Sequence, residues 1–107
     1  MVDKTKPSDE IHLKKYIDLL SMFISEEITV SEFETLFFKI RRDDTYWLSG
    51  QFSKNIGKIL DTLFLDISDY TPEELFDSND SINIDLIELR KRVIKALHEL
   101  LHWQSSR

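Results

Sequence analysis

Apolar side chains recur every three or four residues along almost the whole of this chain, and this spacing limits it to packed helices. A stripe at such intervals lies on one face of an α-helix, whereas a half-buried strand alternates every two residues. Only two glycines and two prolines interrupt the 107 residues. A chain of this length forms one domain with its own core. We therefore expect a single all-α domain over residues 8–104, after a disordered tail over residues 1–7.

Two helices are predicted in the first half of the chain. Ser8 is a candidate N-cap for the first of them, whose buried face is expected to include Ile11. Thr29 and Glu32 have the spacing of a capping box, in which each residue satisfies the backbone N–H of the other, so the second helix should begin there. It is expected to end near Arg42.

Two further helices are predicted in the second half. The third is expected from about Ser49 to Leu65, and Gly57 within it costs about 1 kcal/mol relative to alanine, which indicates a close helix contact. Asp85 and Glu88 repeat the spacing of a capping box, so the last helix should begin there and continue to about His102. Its predicted buried face includes both Leu86 and Leu101.

The connections between these helices also carry signals. Tyr46, Trp47 and Leu48 are large enough to pin the second connection onto the core, although Trp47 could instead be exposed for a partner. Thr71 and Pro72 form a compact helix start, a cap followed by proline at the first position. The predicted fold is a four-helix bundle with a short extra helix in the connection between helices 3 and 4.

Acidic residues are concentrated in one segment of the chain. The 31 residues between Lys58 and Arg90 contain nine acids and no Lys or Arg, and the other residues hold all 14 basic side chains against 11 acids. Large apolar residues are interleaved with these acids, so the segment should be a folded surface and not an acidic tail. A fixed acidic surface indicates a basic partner. The net charge of −6 argues against direct binding of nucleic acid.

Composition indicates the cellular compartment in which the protein is expected. It contains no cysteine, which excludes disulfides and thiolate metal sites and is compatible with a reducing compartment. No apolar run approaches the length of a membrane span, and the charged start of the chain lacks a secretory signal. We expect a cytoplasmic protein without a membrane contact.

One sequence matches a zinc motif. His98, Glu99 and His102 have the H-E-x-x-H spacing that places two histidines one turn apart. Catalytic zinc needs a third protein ligand, and none of the five residues after His102 is a natural one. Glu10 or His12 on another helix could supply it in principle. The simpler interpretation is that these three residues flank a buried leucine stripe, so neither a metal nor another cofactor is expected.

Other catalytic patterns are weak. A calcium loop beginning at Asp66 would place Asp77 at its twelfth position, but Thr71 stands where the sharp turn requires glycine. Paired carboxylates also serve glycosidases, yet no sugar cleft is indicated. Phosphate loops, nucleotide fingerprints and Ser-His-Asp spacings are missing from the sequence. The sequence therefore favours a binding protein over an enzyme.

Several stretches resemble the bacterial self-protective immunity proteins of the colicin D type. They are Tyr16–Leu20 with Phe23, Ile28–Glu34, Ile59–Tyr70 and the last helix, Leu86–Leu101. The most specific is Ile59–Tyr70, which reads apolar-apolar-Asp-x-Leu-Phe-x-Asp-x-x-Asp-Tyr. The H-E-x-x-H sequence is not part of that family's pattern.

This resemblance implies a four-helix protein that binds the nuclease domain of a bacteriocin or of a contact-dependent inhibition toxin, often a tRNase, as one copy per toxin. It leaves the nuclease substrate open between tRNA, rRNA and DNA. The acidic segment would then cover the basic cleft that holds phosphates. The expected toxin-binding residues are Asp61, Asp66, Asp69, Tyr70, Glu73, Glu74 and Asp77. The alternative is a small acidic helical adaptor or regulator that binds another basic protein.

Overall fold

Five helices make up the part of the chain that the computed structural model describes, residues 7–70 and 84–105. In chain order they are α1 (Pro7–Ile24), α2 (Val30–Arg42), α3 (Thr45–Leu48), α4 (Lys54–Asp69) and α5 (Leu86–Ser105). These residues form no strand, only an isolated parallel bridge between Tyr70 and Ile84. The all-α prediction is confirmed. Within the same ranges, every helix is too short or too polar to span a lipid bilayer.

Local capping sets the starts of α2 and α5. Thr29 Oγ1 accepts a hydrogen bond from the Glu32 N–H at 3.1 Å, and Glu32 Oε1 accepts one from the Thr29 N–H at 2.9 Å. The predicted capping box is therefore present. Asp85 acts similarly, because its Oδ1 accepts from the Glu88 N–H at 2.9 Å. Such caps satisfy N–H groups that have no partner within the helix, and each contributes about 1 kcal/mol.

The first helix differs from its prediction in two respects. It begins at Pro7, so Ser8 lies inside it and is not its N-cap. Ile11 is 76% exposed and does not join the core. The buried stripe instead contains Asp9, Leu13 and Tyr16, each fully buried, and Ile11 lies on the opposite side of the helix from Asp9. The carboxylate of Asp9 can occupy the buried face of α1 because donors from other parts of the chain form hydrogen bonds with it.

The third predicted helix starts later than expected. Gly50 has φ +75°, its N–H donates to the Trp47 carbonyl at 2.9 Å, and the Gln51 N–H donates to the Tyr46 carbonyl at 3.0 Å. This left-handed glycine ends the one-turn helix α3. The chain enters α4 only at Lys54 and continues past the predicted end to Asp69. A start at Ser49 is therefore wrong.

Two expectations about single residues in this region are also wrong. Leu48 is 53% exposed and does not pin the connection, whereas Trp47 is 6% exposed and does. In the described part of the chain, no atom beyond the backbone of α4 itself and the two chain neighbours would lie within 4 Å of a Cβ on Gly57, so that glycine does not mark a close contact with another described helix. The short helix expected to begin at Thr71 lies outside the described residues.

The core lies where α1 packs against α2 and α5, and α4 packs against α5. Aromatic rings fill the space between α1 and α2. Phe23 stacks on Phe33 at a centroid distance of 4.3 Å, and Phe37 meets Trp47 edge-on at 5.9 Å. Phe38 contacts Phe64 edge-on at 5.7 Å, which joins α2 to α4. Burying each such ring contributes roughly 1.5–3 kcal/mol, so packing, more than helix propensity, stabilises these helices.

The last helix presents a narrow buried stripe. The stripe consists of Leu89, Val93, Ala96 and Leu100. The predicted burial of Leu86 and Leu101 is wrong, because these side chains are 41% and 40% exposed. Arg90 donates to the carbonyls of Phe23 at 3.3 Å and Ile24 at 2.9 Å. These are among the last carbonyls of α1, which have no partner within their helix.

Candidate functional site

The solvent-facing side of α4 carries a ridge of three side chains. Asp61, Leu65 and Asp69 follow one another at intervals of four residues, so they lie along one face of the helix. Leu65 is 59% exposed, Asp61 is exposed and Asp69 is half-buried. We call these three residues the α4 ridge. It places an exposed apolar side chain between two acids.

Asp61 is held in place by the connection before α4. Its Oδ1 accepts a hydrogen bond from Trp47 Nε1 at 2.9 Å. Trp47 itself is buried against Tyr16 and Phe37, so the alternative that it is exposed for a partner is wrong. The hydrogen bond reduces the freedom of one carboxylate oxygen of Asp61 without burying its charge. One acid of the ridge is therefore oriented before any partner arrives.

A buried polar cluster fixes the short helix that carries Trp47. Asp44, the N-cap of α3, accepts from the backbone N–H groups of Tyr46 and Trp47 and from the hydroxyl of Tyr16. Asp9 accepts from the hydroxyl of Tyr46 and from the backbone N–H of Ser53. Buried carboxylates cost several kcal/mol unless such donors surround them. The cluster therefore positions α3 on α1 and, through Trp47, orients Asp61.

A cation lies behind the same tryptophan. The guanidinium of Arg41 is 4.9 Å from the ring centroid of Trp47 and 4.0 Å from that of Phe64. Its Nε is buried and has no hydrogen-bond partner among the described residues. Arg41, Trp47 and Asp61 line a surface concavity of about 280 Å³, the α3–α4 concavity. Its full lining is Arg41, Trp47, Leu48, Gly50, Phe52, Gly57 and Asp61.

Asp66 lies away from the ridge and is paired. Its Oδ1 is 2.8 Å from Arg92 Nη1, and Arg92 Nε is 3.0 Å from Glu88 Oε2. The Asp66 side chain is only 16% exposed. The hydrogen bond with Glu88 and the contact with Asp66 raise the pKa of Arg92 above its ordinary value, against the effect of burial. Asp66 therefore links α4 to α5, and Arg92 compensates its charge.

The remaining expected binding residues lie at the end of α4 or beyond it. Tyr70 is half-buried against the core, and it forms the isolated bridge with Ile84. The backbone carbonyl of Asp69 accepts from the Ile84 N–H at 3.2 Å. Glu73, Glu74 and Asp77 lie outside the described residues. The structure thus brings Asp61, Asp69 and Tyr70 together along α4 and its C-terminal end, and separates Asp66 toward α5.

The histidines of the H-E-x-x-H sequence lie on a different helix. His98 and His102 are exposed on α5, as is Glu99 between them. In the described ranges, no group of three or more His, Cys, Asp or Glu side chains has an arrangement that could hold a metal ion. The geometry around α5 therefore offers no support for a zinc centre.

Comparison with known families gives a match over most of the chain. A model of bacterial self-protective colicin-like immunity proteins matches residues 11–100. The chain belongs to this family. Comparisons with curated proteins and with solved structures gave no match. The matched range of the immunity protein includes all of α2, α3 and α4, and therefore the whole α4 ridge.

Sequence reasoning missed one prominent residue of this immunity protein. In the sequence, Leu65 is one of several apolar residues interleaved with the acids, yet in the structure it is the exposed centre of the ridge. A signal existed, because Leu63, Phe64 and Leu65 are consecutive and cannot all face one core from one helix. Leu65 is four residues from both Asp61 and Asp69, so it lies on the same helix face as these acids and is the residue of the three that points outward. The hydrogen bond between Trp47 and Asp61 had no such signal.

Proposed function

We propose that this immunity protein neutralises a bacterial nuclease toxin of the tRNA-cutting class by covering its basic active-site cleft with the acidic surface of α4. In this proposal one immunity protein binds one toxin in the cytoplasm and acts as an inhibitor, not as an enzyme. The four long helices form the bundle that presents the surface. The toxin comes from a bacteriocin or a contact-dependent inhibition system.

The α4 ridge is the observation that carries the proposal. Leu65 is 59% exposed between two acids, and an apolar anchor inside a polar rim is the usual anatomy of a protein–protein interface. Leaving such a side chain in water gains nothing for folding. Burying it in a partner contributes roughly 1.5–3 kcal/mol, an amount that helps to bind a toxin tightly.

Charge supports a nuclease as the partner. A cleft that holds phosphates must be basic, and Asp61 and Asp69 present carboxylates at positions four residues from Leu65. Complementary fields accelerate capture to as much as about 10⁸–10⁹ M⁻¹ s⁻¹ at low salt. Fast capture protects a cell in which one free toxin molecule can degrade many RNA molecules.

Rigidity supports the same function. The hydrogen bond from Trp47 orients Asp61, and the pair formed by Asp66 and Arg92 ties α4 to α5. A surface that is ordered before binding loses less conformational entropy when the complex forms. The α4 ridge therefore has the preorganisation of an inhibitor that binds without refolding.

Co-expression with a toxin tests this function. The C-terminal domain encoded by the gene beside this one is expressed alone and together with the immunity protein, and cell growth and co-purification are scored. We expect restored growth and a one-to-one complex. Toxicity that persists, or two chains that do not co-purify, would contradict the proposal and favour the adaptor function.

A further inference from the structure

Asp61 is an exposed carboxylate whose charge no described neighbour compensates. Its Oδ1 accepts from Trp47 Nε1 at 2.9 Å, and the indole N–H carries no charge. Among the described residues, no Lys, Arg or His side chain forms an ion pair with Asp61, whereas Asp66 pairs with Arg92. The guanidinium of Arg41 lines the same concavity, but it lies against two aromatic rings and does not pair with Asp61. Asp61 therefore offers a partner one oriented negative charge.

Two exposed leucines border this carboxylate. Leu48 is 53% exposed on α3, and it lines the α3–α4 concavity together with Asp61. Leu65 is 59% exposed one turn further along α4, on the same helix face as Asp61. Leu48 follows Trp47 directly in the chain, and the Trp47 N–H donates to the buried carboxylate of Asp44, which fixes this turn of helix. Apolar surface from two different helices therefore adjoins one charge.

This arrangement favours one kind of partner group. A neutral apolar side chain would cover the leucines and leave the carboxylate of Asp61 without a countercharge, and an acidic side chain would be repelled. Arginine and lysine combine an apolar stem with a charged head, so the stem can pack on leucine while the head meets a carboxylate. Oδ2 of Asp61 has no hydrogen-bond partner among the described residues and is available to such a head group.

We propose that the surface formed by Leu48, Asp61 and Leu65 takes one arginine or lysine side chain of the toxin, whose stem packs on the two leucines and whose charged group pairs with Asp61. This inference rests on the proposed function, and it adds Leu48 to the interface as a second apolar anchor beside the α4 ridge. A cleft that holds phosphates supplies such basic side chains. Because the two leucines lie on different helices, the contact fixes the position of the toxin relative to both α3 and α4.

Leucine and aspartate variants test the inference against the cognate toxin domain. Leu48→Ala removes the apolar anchor on α3, and Asp61→Asn removes the charge while keeping an acceptor for Trp47. The matched control is Ile11→Ala, which shortens an apolar side chain that is 76% exposed on α1. We expect Leu48→Ala and Asp61→Asn each to weaken toxin binding by at least about tenfold, the loss typical of an interface hot spot, and Ile11→Ala to leave it unchanged. Thermal unfolding reports whether each variant is folded, and Leu48→Ala against Ile11→Ala keeps the test valid if Asp61→Asn is not.

The double variant of Leu48→Ala and Asp61→Asn shows whether one toxin side chain makes both contacts. Its affinity loss should be smaller than the product of the two single losses by at least about twofold, because both substitutions then act on the same contact. Alanine substitution of each Lys and Arg of the toxin should identify one position at which neither single variant weakens binding further.

Three results would overturn the inference and leave the proposed function standing. They are Leu48→Ala binding as tightly as Ile11→Ala, single losses that multiply in the double variant, and the lack of any such basic position in the toxin. Failure of the unchanged protein to bind the toxin would instead reject the proposed function.

Discussion

The hydroxyl of Tyr16 on α1 donates a hydrogen bond of 2.5 Å to Oδ2 of Asp44, the residue that caps α3. Lys15 Nζ lies 3.2 Å from the same oxygen. Burial, and then the hydrogen bond and charge of Asp44, raise the pKa of Tyr16 well above its ordinary value. The pair joins two elements that are 28 residues apart, and it positions the helix that holds Trp47 against Asp61.

Removing either member of this pair is expected to destabilise the protein. Asp44→Ala loses a helix cap and leaves the Tyr16 hydroxyl buried without its acceptor, so we expect a loss of about 2–4 kcal/mol in the free energy of unfolding. Tyr16→Phe should cost about 1–2 kcal/mol. Urea unfolding of both variants and of the double variant measures their coupling. Strictly additive losses would show that the two side chains do not stabilise one another.

Acid is expected to weaken the same contact. Burial alone would raise the pKa of Asp44, but hydrogen bonds from Tyr16, from the Trp47 N–H and from Lys15 hold it below its ordinary value. A depressed pKa means that this stabilisation is present above the unfolded value of about 3.9 and is lost as the pH falls through the folded value. The free energy of unfolding should therefore fall below about pH 4, and less steeply in Asp44→Asn. Equal slopes for the two proteins would contradict this.

The position of Asp9 shows where prediction from the sequence ends. Periodicity correctly gave an amphipathic α1, and the local box of Thr29 and Glu32 gave the start of α2. Yet Ile11 was placed in the core, because hydrophobicity ranks it far above an aspartate. Asp9 faces inward instead because Tyr46 and Ser53 donate to it from 37 and 44 residues away. Partners so distant in the sequence leave no local signal.

The candidate site was predictable to a similar extent. The charge pattern pointed to the segment that contains Asp61 and Asp69, and in the structure Asp61 is exposed and Asp69 half-buried on one face of α4. The sequence could not show that Asp66 pairs with Arg92, because that contact depends on how α4 and α5 pack. The sequence also did not show that Gly50 ends a one-turn helix, although a glycine after an apolar run is a known stop signal.

Gly57→Ala is expected to stabilise the isolated immunity protein. The backbone at Gly57 is helical, and the added methyl group would meet no atom of the described residues within 4 Å beyond the backbone of its own helix and its chain neighbours. Alanine lowers the entropy of the unfolded chain and favours the helix, so we expect a gain of about 0.4–1 kcal/mol. Thermal and urea unfolding measure it. A lower unfolding midpoint would mean that the space beside Gly57 is needed by the fold.

Asp66 is expected to contribute more to the free energy of unfolding than to the electrostatic attraction of a toxin. Because Arg92 is 38% exposed, screening limits the pair to about 0.5–1 kcal/mol, and Asp66→Asn should cost that amount in urea unfolding. The Asp66 side chain is only 16% exposed and contacts α5, away from the α4 ridge, so Asp66→Asn should slow toxin association less than Asp69→Asn does. Stopped-flow association at low salt compares the two variants, which remove the same charge. A larger effect of Asp66→Asn would contradict this ranking.

The central claim is that the α4 ridge binds the toxin, and the most direct measurement of it is the affinity of lysine variants for the cognate toxin domain. Asp69→Lys and Leu65→Lys are compared with the matched control Asp18→Lys, which alters an exposed residue of α1 that pairs only with Lys14 at 2.8 Å among the described residues. We predict that both ridge variants weaken binding by about tenfold or more while Asp18→Lys has little effect. Equal affinities for all three folded variants would contradict the account.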